Sequence, residues 1–223
     1  MTVSTDPAAA PSDAAPVNGA TPHGPLRFGV GWLAGVLIFG LVVGIAGALL
    51  IPRLVLTPGD TSPEAGFLRD MSTHHAQAVE MSMIAHAAST NASIVTLSND
   101  IALTQQGQKG MMQTWLRSWH LDPTGTEKPM AWMPDAQGSV QNGLMPGMAT
   151  PEQMETLREA ASPDLDVQFL TLMRAHHLGG IHMAQGIVEQ SDNDDVVWLA
   201  GTMIRGQQSE LNLIDQLLAK LQP

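Results

Sequence analysis

Two short segments of the chain combine adjacent histidines with methionines. Residues 67–81 read FLRDMSTHHAQAVEM and residues 169–183 read FLTLMRAHHLGGIHM, at a constant offset of 102 and without a gap. Imidazole and thioether are neutral, soft ligands that together suit Cu(I). The candidate metal ligands are Met71, His74, His75 and Met81 in the first copy, and Met173, His176, His177 and Met183 in the second.

Helical geometry would bring these side chains onto one face. At about 100° per residue, His74, His75 and the flanking methionines form a stripe with Phe67, so the stripe should face the core. Glu80 and His182 fall on the opposite side and are predicted to face solvent. Buried imidazoles need partners, and a carbonyl, a Gln amide or water would be ordinary choices. The repeated pairing of His with Met favours metal ligation instead.

Composition narrows the choice of metal. The chain has no Cys, which excludes thiolate sites and disulfides. Zinc usually combines His with Cys or carboxylate. A bundle-type di-iron centre requires Glu-x-x-His, and no Glu here has His three residues later. We therefore predict copper as the bound metal, with Cu(I) favoured and Ag(I) as its mimic.

Three further residues are secondary candidates. Met145 and Met148 lie three apart in a segment rich in Pro and Gly. They could bind a soft cation, or they could cover the bundle as flexible hydrophobic side chains. His86 falls on the same stripe as the first motif and could belong to a second site. His120 ends the second predicted helix, where it is more simply a favourable C-terminal group.

The surrounding chain reads as helices without alternating strands. We predict a first hairpin over about 63–120, a Met-rich loop over 122–150 and a second hairpin over about 163–221. Thr150 and Gln153 have capping-box spacing and should open a short helix between the hairpins. The offset of 102 continues into the second helix of each hairpin, for example at Gln105 and Gln207. The fold class is therefore all-α, a four-helix bundle of two repeated hairpins within 60–223.

An apolar segment precedes the bundle. No charged residue lies between Arg27 and Arg53, a length sufficient for a transmembrane helix. We predict a disordered tail over 1–26 and a transmembrane anchor over 27–54. A cleaved signal peptide is the alternative, with Ala46-Gly47-Ala48 as its small-residue cleavage site. With one Arg on each flank, the charge distribution hardly decides the orientation.

Charge excludes one class of function and leaves three open. A net charge of −11 with only ten Lys and Arg argues against nucleic-acid binding. A copper-binding protein is favoured. A metal-dependent oxidoreductase is the weaker alternative, because no carboxylate is arranged as a general base. The third is a metal-free interaction module that associates with a membrane protein or with a second copy of the chain.

Three segments resemble the DUF305 family: MSTHHAQAVEM, GLMPGMATPEQM and MRAHHLGGIHM. The resemblance covers about residues 60–223. It implies a ferritin-like four-helix bundle, exported or membrane-anchored in many members, some of which bind copper or silver and support copper tolerance. It also implies the eight ligands given above, a Met loop at Met145 and Met148, and an extracytoplasmic bundle with a cytoplasmic N-terminus. Gly179-Gly180 replaces Gln77-Ala78 of the first copy and is expected to loosen the second motif helix.

Overall fold

The computed structural model describes residues 29–55, 57–134 and 136–221. The predicted disordered tail over 1–26 lies outside these residues. Internal contacts divide the chain between Leu56 and Thr57 into two units. Each unit is described by itself below.

The N-terminal unit contains one helix, α1 (Val30–Val55). Within it, Val30–Leu49 has a mean hydropathy of 2.4 and is long and apolar enough to cross a membrane. Its large side chains, such as Leu37 and Phe39, are exposed. The predicted apolar helix is therefore present, and the large apolar side chains of Val30–Leu49 are exposed.

The second unit is built from helices. In chain order they are α2 (Pro63–Ala88), α3 (Ala92–Ser118), a 3-10 turn (Ala136–Gly138), α4 (Pro151–Glu159), α5 (Asp164–Val188) and α6 (Asp194–Leu221). Over the described ranges the sole β feature is one isolated bridge between Gln141 and Leu144. The predicted all-α class is confirmed.

Side chains at the helix starts explain where most of the helices begin. The Ser62 hydroxyl accepts a hydrogen bond from the Ala65 amide, and Asn91 does the same for Ser93. Thr150 and Gln153 form the predicted capping box at α4. Such caps each stabilise a helix by about 1 kcal/mol, because they satisfy amides that have no partner within the helix.

The four long helices pack as two hairpins. Helix α2 lies against α3, α5 lies against α6, and the hairpins meet through α2 and α5. Two clusters of buried side chains fill the bundle. The Phe67 cluster includes Met71 and Met183, and the Phe169 cluster includes Met81 and Met173. Along α2 and α5, the histidine pairs therefore lie between the two clusters.

Candidate metal centre

All eight predicted ligands lie inside the bundle. Each of the four histidines and each of the four motif methionines has no exposed surface. Glu80 and His182, which the helical projection placed on the opposite face, are exposed. The predicted inward stripe is thus the buried face of both α2 and α5.

The two histidine pairs meet across the bundle. The His74 and His176 rings lie with their centroids 3.7 Å apart and tilted by 33°. The His176 and His177 rings are 6.4 Å apart. One imidazole layer, defined as His74, His75, His176 and His177, therefore joins the two hairpins.

Each imidazole in this layer uses its Nε2 atom for a hydrogen bond. His74 Nε2 donates to the Pro146 carbonyl at 3.0 Å, and His176 Nε2 donates to the His74 carbonyl at 2.9 Å. Because a carbonyl oxygen only accepts, these two rings carry their proton on Nε2. His75 Nε2 lies 2.8 Å from Gln108 Oε1, and His177 Nε2 lies 2.6 Å from Glu210 Oε2.

The other nitrogen of every ring has no partner. Within the described part of the chain, Nδ1 of all four imidazoles is buried without a hydrogen bond. A ring protonated at Nε2 has a free lone pair at Nδ1. Metal-binding histidines usually show this arrangement, with one nitrogen donating to a carbonyl or carboxylate and the other facing the metal. The residues present therefore fit a metal with neutral nitrogen ligands.

Burial also keeps His74, His75 and His176 uncharged. Desolvation lowers the pKa of His74 to about 4, and desolvation together with the nearby His74 lowers that of His75 to about 3. Desolvation and the neighbouring imidazoles bring the pKa of His176 well below its usual value. A neutral ring needs no deprotonation before it binds a metal, so these nitrogens are available at neutral pH.

Thioethers lie on both sides of the imidazole layer. Met71 and Met183 belong to the Phe67 cluster, and Met81 and Met173 belong to the Phe169 cluster. Among residues 29–55, 57–134 and 136–221, no three His, Asp or Glu side chains form a group that could hold a metal ion. A metal bound here would therefore need thioether sulfur as well as imidazole.

The Met-rich loop closes over this region. Met145 is almost fully buried in the Phe67 cluster, and Met148 packs against the same cluster. Gln77 of α2 holds the loop, since its Oε1 accepts from the Ala149 amide at 2.7 Å and its Nε2 donates to the Ala149 carbonyl at 2.9 Å. The loop methionines thus act at least as hydrophobic cover, one of the two roles considered for them.

The glycine doublet has a different role from the one expected. Helix α5 runs unbroken through Gly179 and Gly180, so the expected loosening is not seen. A Cβ atom on Gly179 would lie 1.9 Å from the Pro146 carbonyl oxygen. Gly147 has a φ of +79°, and a Cβ atom on it would lie 2.2 Å from the Ala175 carbonyl oxygen. The glycines therefore allow the loop backbone to approach α5.

The remaining histidine candidates lie outside the imidazole layer. His86 is exposed, and its Nδ1 donates to the Val95 carbonyl at 3.2 Å. His120 is also exposed and follows the end of α3 with a φ of 61°. A second site at His86 stays a prediction, whereas His120 has no place in the buried site.

Sequence reasoning missed the side chains that support the imidazoles. Gln108 and Glu210 are 102 residues apart and each lies 33 residues beyond the histidine it contacts. A search for identical residues passes over them because Gln and Glu differ. The constant offset was the available signal, since it pairs the two positions whatever their side chains.

The geometry defines a helical bundle with a buried layer of histidines flanked by methionines. The family model described as a domain of unknown function, DUF305, matches residues 64–218. The chain belongs to the DUF305 family. No curated protein matches the chain.

Solved structures share this fold. A Streptomyces coelicolor DUF305 protein, provisionally described as secreted, is 42% identical over 73% of this chain and 96% of its own, with a TM-score of 0.68. A Deinococcus radiodurans DUF305 fragment is 25% identical, covers 71% and 96% of the two chains and has a TM-score of 0.59. CopM in its Cu(I)-bound form is 18% identical over 73% and 99%, with a TM-score of 0.57.

Replacement of Gly179 tests the contact between the loop and α5. We expect Gly179→Ala to destabilise the bundle by about 1–3 kcal/mol, because the new methyl group would overlap the Pro146 carbonyl. The matched control is Gly206→Ala in α6, where a Cβ meets nothing within 4 Å and should stabilise by about 0.5–1 kcal/mol. Urea unfolding followed by Trp fluorescence measures both. Equal effects of the two variants would contradict the close approach.

The buried imidazoles make the stability of the metal-free protein depend on pH. An unfolded His titrates near 6.5, above the folded values of about 4 for His74 and about 3 for His75. The unfolded state therefore binds more protons between these values. We expect the free energy of unfolding to be highest above about pH 7 and to fall as the pH drops through 6.5 towards 3. Each ring contributes up to about 1.4 kcal/mol per pH unit.

The variant His75→Gln separates this effect from carboxylate titration. It should reduce the slope of stability against pH between 6.5 and 4, whereas His182→Gln, at an exposed position, should leave the slope as in wild type. Urea unfolding at a series of pH values provides the comparison. Identical slopes for wild type and His75→Gln would show that the ring is not held neutral by burial.

Proposed function

We propose that this chain is a membrane-anchored, extracytoplasmic protein that binds copper as Cu(I), in copper buffering, delivery or tolerance. One observation carries the proposal: in the described part of the chain, four buried imidazoles each have an Nδ1 atom without a hydrogen-bond partner, and the rings lie between two sets of buried methionines. The proposed ligands are the eight motif residues. Met145 and Met148 are secondary candidates because they pack in or against the Phe67 cluster.

The chemistry of these donors supports a soft monovalent ion. Thioether is a soft ligand and imidazole also binds copper, so together they suit Cu(I) and Ag(I) better than they suit hard ions, which prefer carboxylate oxygen. Structures of CopM, which has the same fold at 18–20% identity, contain Cu(I), Cu(II) or silver. The function proposed is binding rather than catalysis, since the eight proposed ligands have no exposed surface at which a substrate could meet a bound metal.

Replacement of thioethers by isosteric carbon tests the proposal without emptying the core. We expect Met71→Leu/Met183→Leu to weaken Cu(I) binding by more than about tenfold, because even loss of a supporting residue typically costs 10–100-fold in metal affinity. Met-to-Leu exchange usually destabilises by less than about 1.5 kcal/mol. Full-length protein in detergent would compete with a colorimetric Cu(I) chelator, with element analysis giving the stoichiometry.

The control is Met112→Leu/Met203→Leu, which changes two buried methionines of the same Phe67 cluster outside the repeated motif. This variant should bind Cu(I) as wild type does. Absence of Cu(I) and Ag(I) uptake by the wild-type protein would overturn the proposal and favour a metal-free interaction module with a membrane partner or a second copy. Sustained oxidase turnover by the copper-loaded protein would instead favour an oxidoreductase.

The membrane anchor and the orientation are part of the proposal. Helix α1 has the length and hydropathy of a membrane span, and the Streptomyces relative is provisionally described as secreted. An exported bundle would use thioethers, which bind metal without losing a proton and so tolerate mildly acidic surroundings. We therefore infer a single span with the N-terminus in the cytoplasm.

Because the chain has no Cys, single cysteines can report the orientation. A membrane-impermeant maleimide applied to whole cells should label Asn99→Cys, at an exposed position on α3, and should label Ser4→Cys only after lysis. The opposite pattern would reverse the topology. A mature protein whose mass lacks residues up to about Ala48 would show a cleaved signal peptide instead of an anchor.

A further inference from the structure

The two hairpins differ at one position that contacts the imidazole layer. His75 of α2 is hydrogen-bonded to Gln108 of α3, and His177 of α5 is hydrogen-bonded to Glu210 of α6. The two contacts span the same 33 residues and are 102 apart. A neutral amide therefore supports the ring in the first hairpin, and a carboxylate supports its counterpart in the second.

This difference controls how firmly each ring is oriented. A carboxylate only accepts, so His177 must donate through Nε2, and in the neutral form of the ring this leaves the lone pair on Nδ1. A Gln amide can turn to present either its oxygen or its NH₂ group. His75 can therefore pair with Gln108 in either tautomer, and only one of them leaves Nδ1 free to bind a metal.

The difference also changes the charge near a bound ion. Cu(I) or Ag(I) held by imidazole and thioether keeps its full positive charge inside the bundle, where an uncompensated charge is costly. In the part of the chain that the structure describes, Glu210 is the one carboxylate hydrogen-bonded to a ring of the imidazole layer. Arg174, one turn before His177, is already paired with Asp215 at 2.7 Å.

We propose that Glu210 is a positioning residue that makes the ligands of the second hairpin, here called the His177 half, a stronger metal site than those of the first, the His75 half. The second hairpin would then bind metal before the first. This inference rests on the proposed metal binding. It assigns different metal affinities to two halves whose repeated motifs are the same. Glu210 acts through His177 by fixing its tautomer and offsetting the charge of the ion.

Silver titration with a site-resolved readout tests the order of filling. Ag(I) is added to the full-length chain in detergent, and long-range ¹H–¹⁵N spectra of the histidine rings are recorded. In wild type, the His177 signals should respond at a lower silver concentration than those of His75. We expect Glu210→Gln to weaken silver binding by the His177 half by about 10–100-fold. The two halves would then respond at similar silver concentrations.

Matched variants come from the repeat itself. Glu210→Gln recreates the amide contact that Gln108 already makes with His75, so this fold accommodates it. Gln108→Glu should strengthen the His75 half, and the double exchange Gln108→Glu/Glu210→Gln should reverse the order of filling. In the metal-free protein, at a pH where the rings are neutral, the ring ¹⁵N shifts should show His177 as the Nε2–H tautomer in wild type and a mixture in Glu210→Gln.

The possible outcomes separate this inference from the proposed function. If no imidazole signal responds to silver, both the proposed metal binding and the role of Glu210 are overturned. If both halves respond at the same concentration in wild type, or if Glu210→Gln leaves their order unchanged, metal binding stands and the role of Glu210 is overturned. Should Gln108→Glu fail to fold, the comparison of wild type with Glu210→Gln still decides, with its melting temperature as the control for structure.

Discussion

The interior of the bundle depends on burying four imidazoles and giving each a hydrogen-bond partner. Each ring N–H must find an acceptor, since an unsatisfied buried donor costs about 1–3 kcal/mol. The acceptors come from four different places in the chain: Pro146 in the loop, the backbone of His74, Gln108 on α3 and Glu210 on α6. Both hairpins and their connection are therefore needed to satisfy one layer of rings.

That requirement accounts for the shape of the long connection. The Pro146 carbonyl can reach His74 only if the loop backbone lies directly on α5, and Gly147 and Gly179 leave the space for it. Gln77 then holds the other side of the loop through both polar atoms of its amide. The loop thus seals the imidazole layer and also supplies one of its hydrogen-bond acceptors.

The described part of the bundle also buries ring nitrogens without hydrogen bonds, which costs free energy and is not explained by the packing. Among the residues that the structure describes, the four Nδ1 atoms of the imidazole layer are buried without hydrogen-bond partners, whereas nearly all buried polar atoms in proteins are hydrogen-bonded. Such exceptions tend to occur where function requires them. Here they coincide with fully buried rings between two sets of methionines. Desolvation holds His74, His75 and His176 uncharged, which is the state in which imidazole binds a metal ion.

The sequence by itself determined the helices, the capping box of α4 and the buried face, because helical periodicity depends on local spacing and the two motif copies show the same spacing twice. Met71 and His74 follow directly from that spacing, as does the capping box at Thr150. Only the tertiary structure decided which ring nitrogen is free and which residues support it. Gln108, Glu210 and Pro146 lie 33 to 72 residues from their histidines, a separation that local patterns cannot connect. Those long-range contacts make the two halves of the motif unequal, although the motif copies share every histidine and methionine of the proposed site.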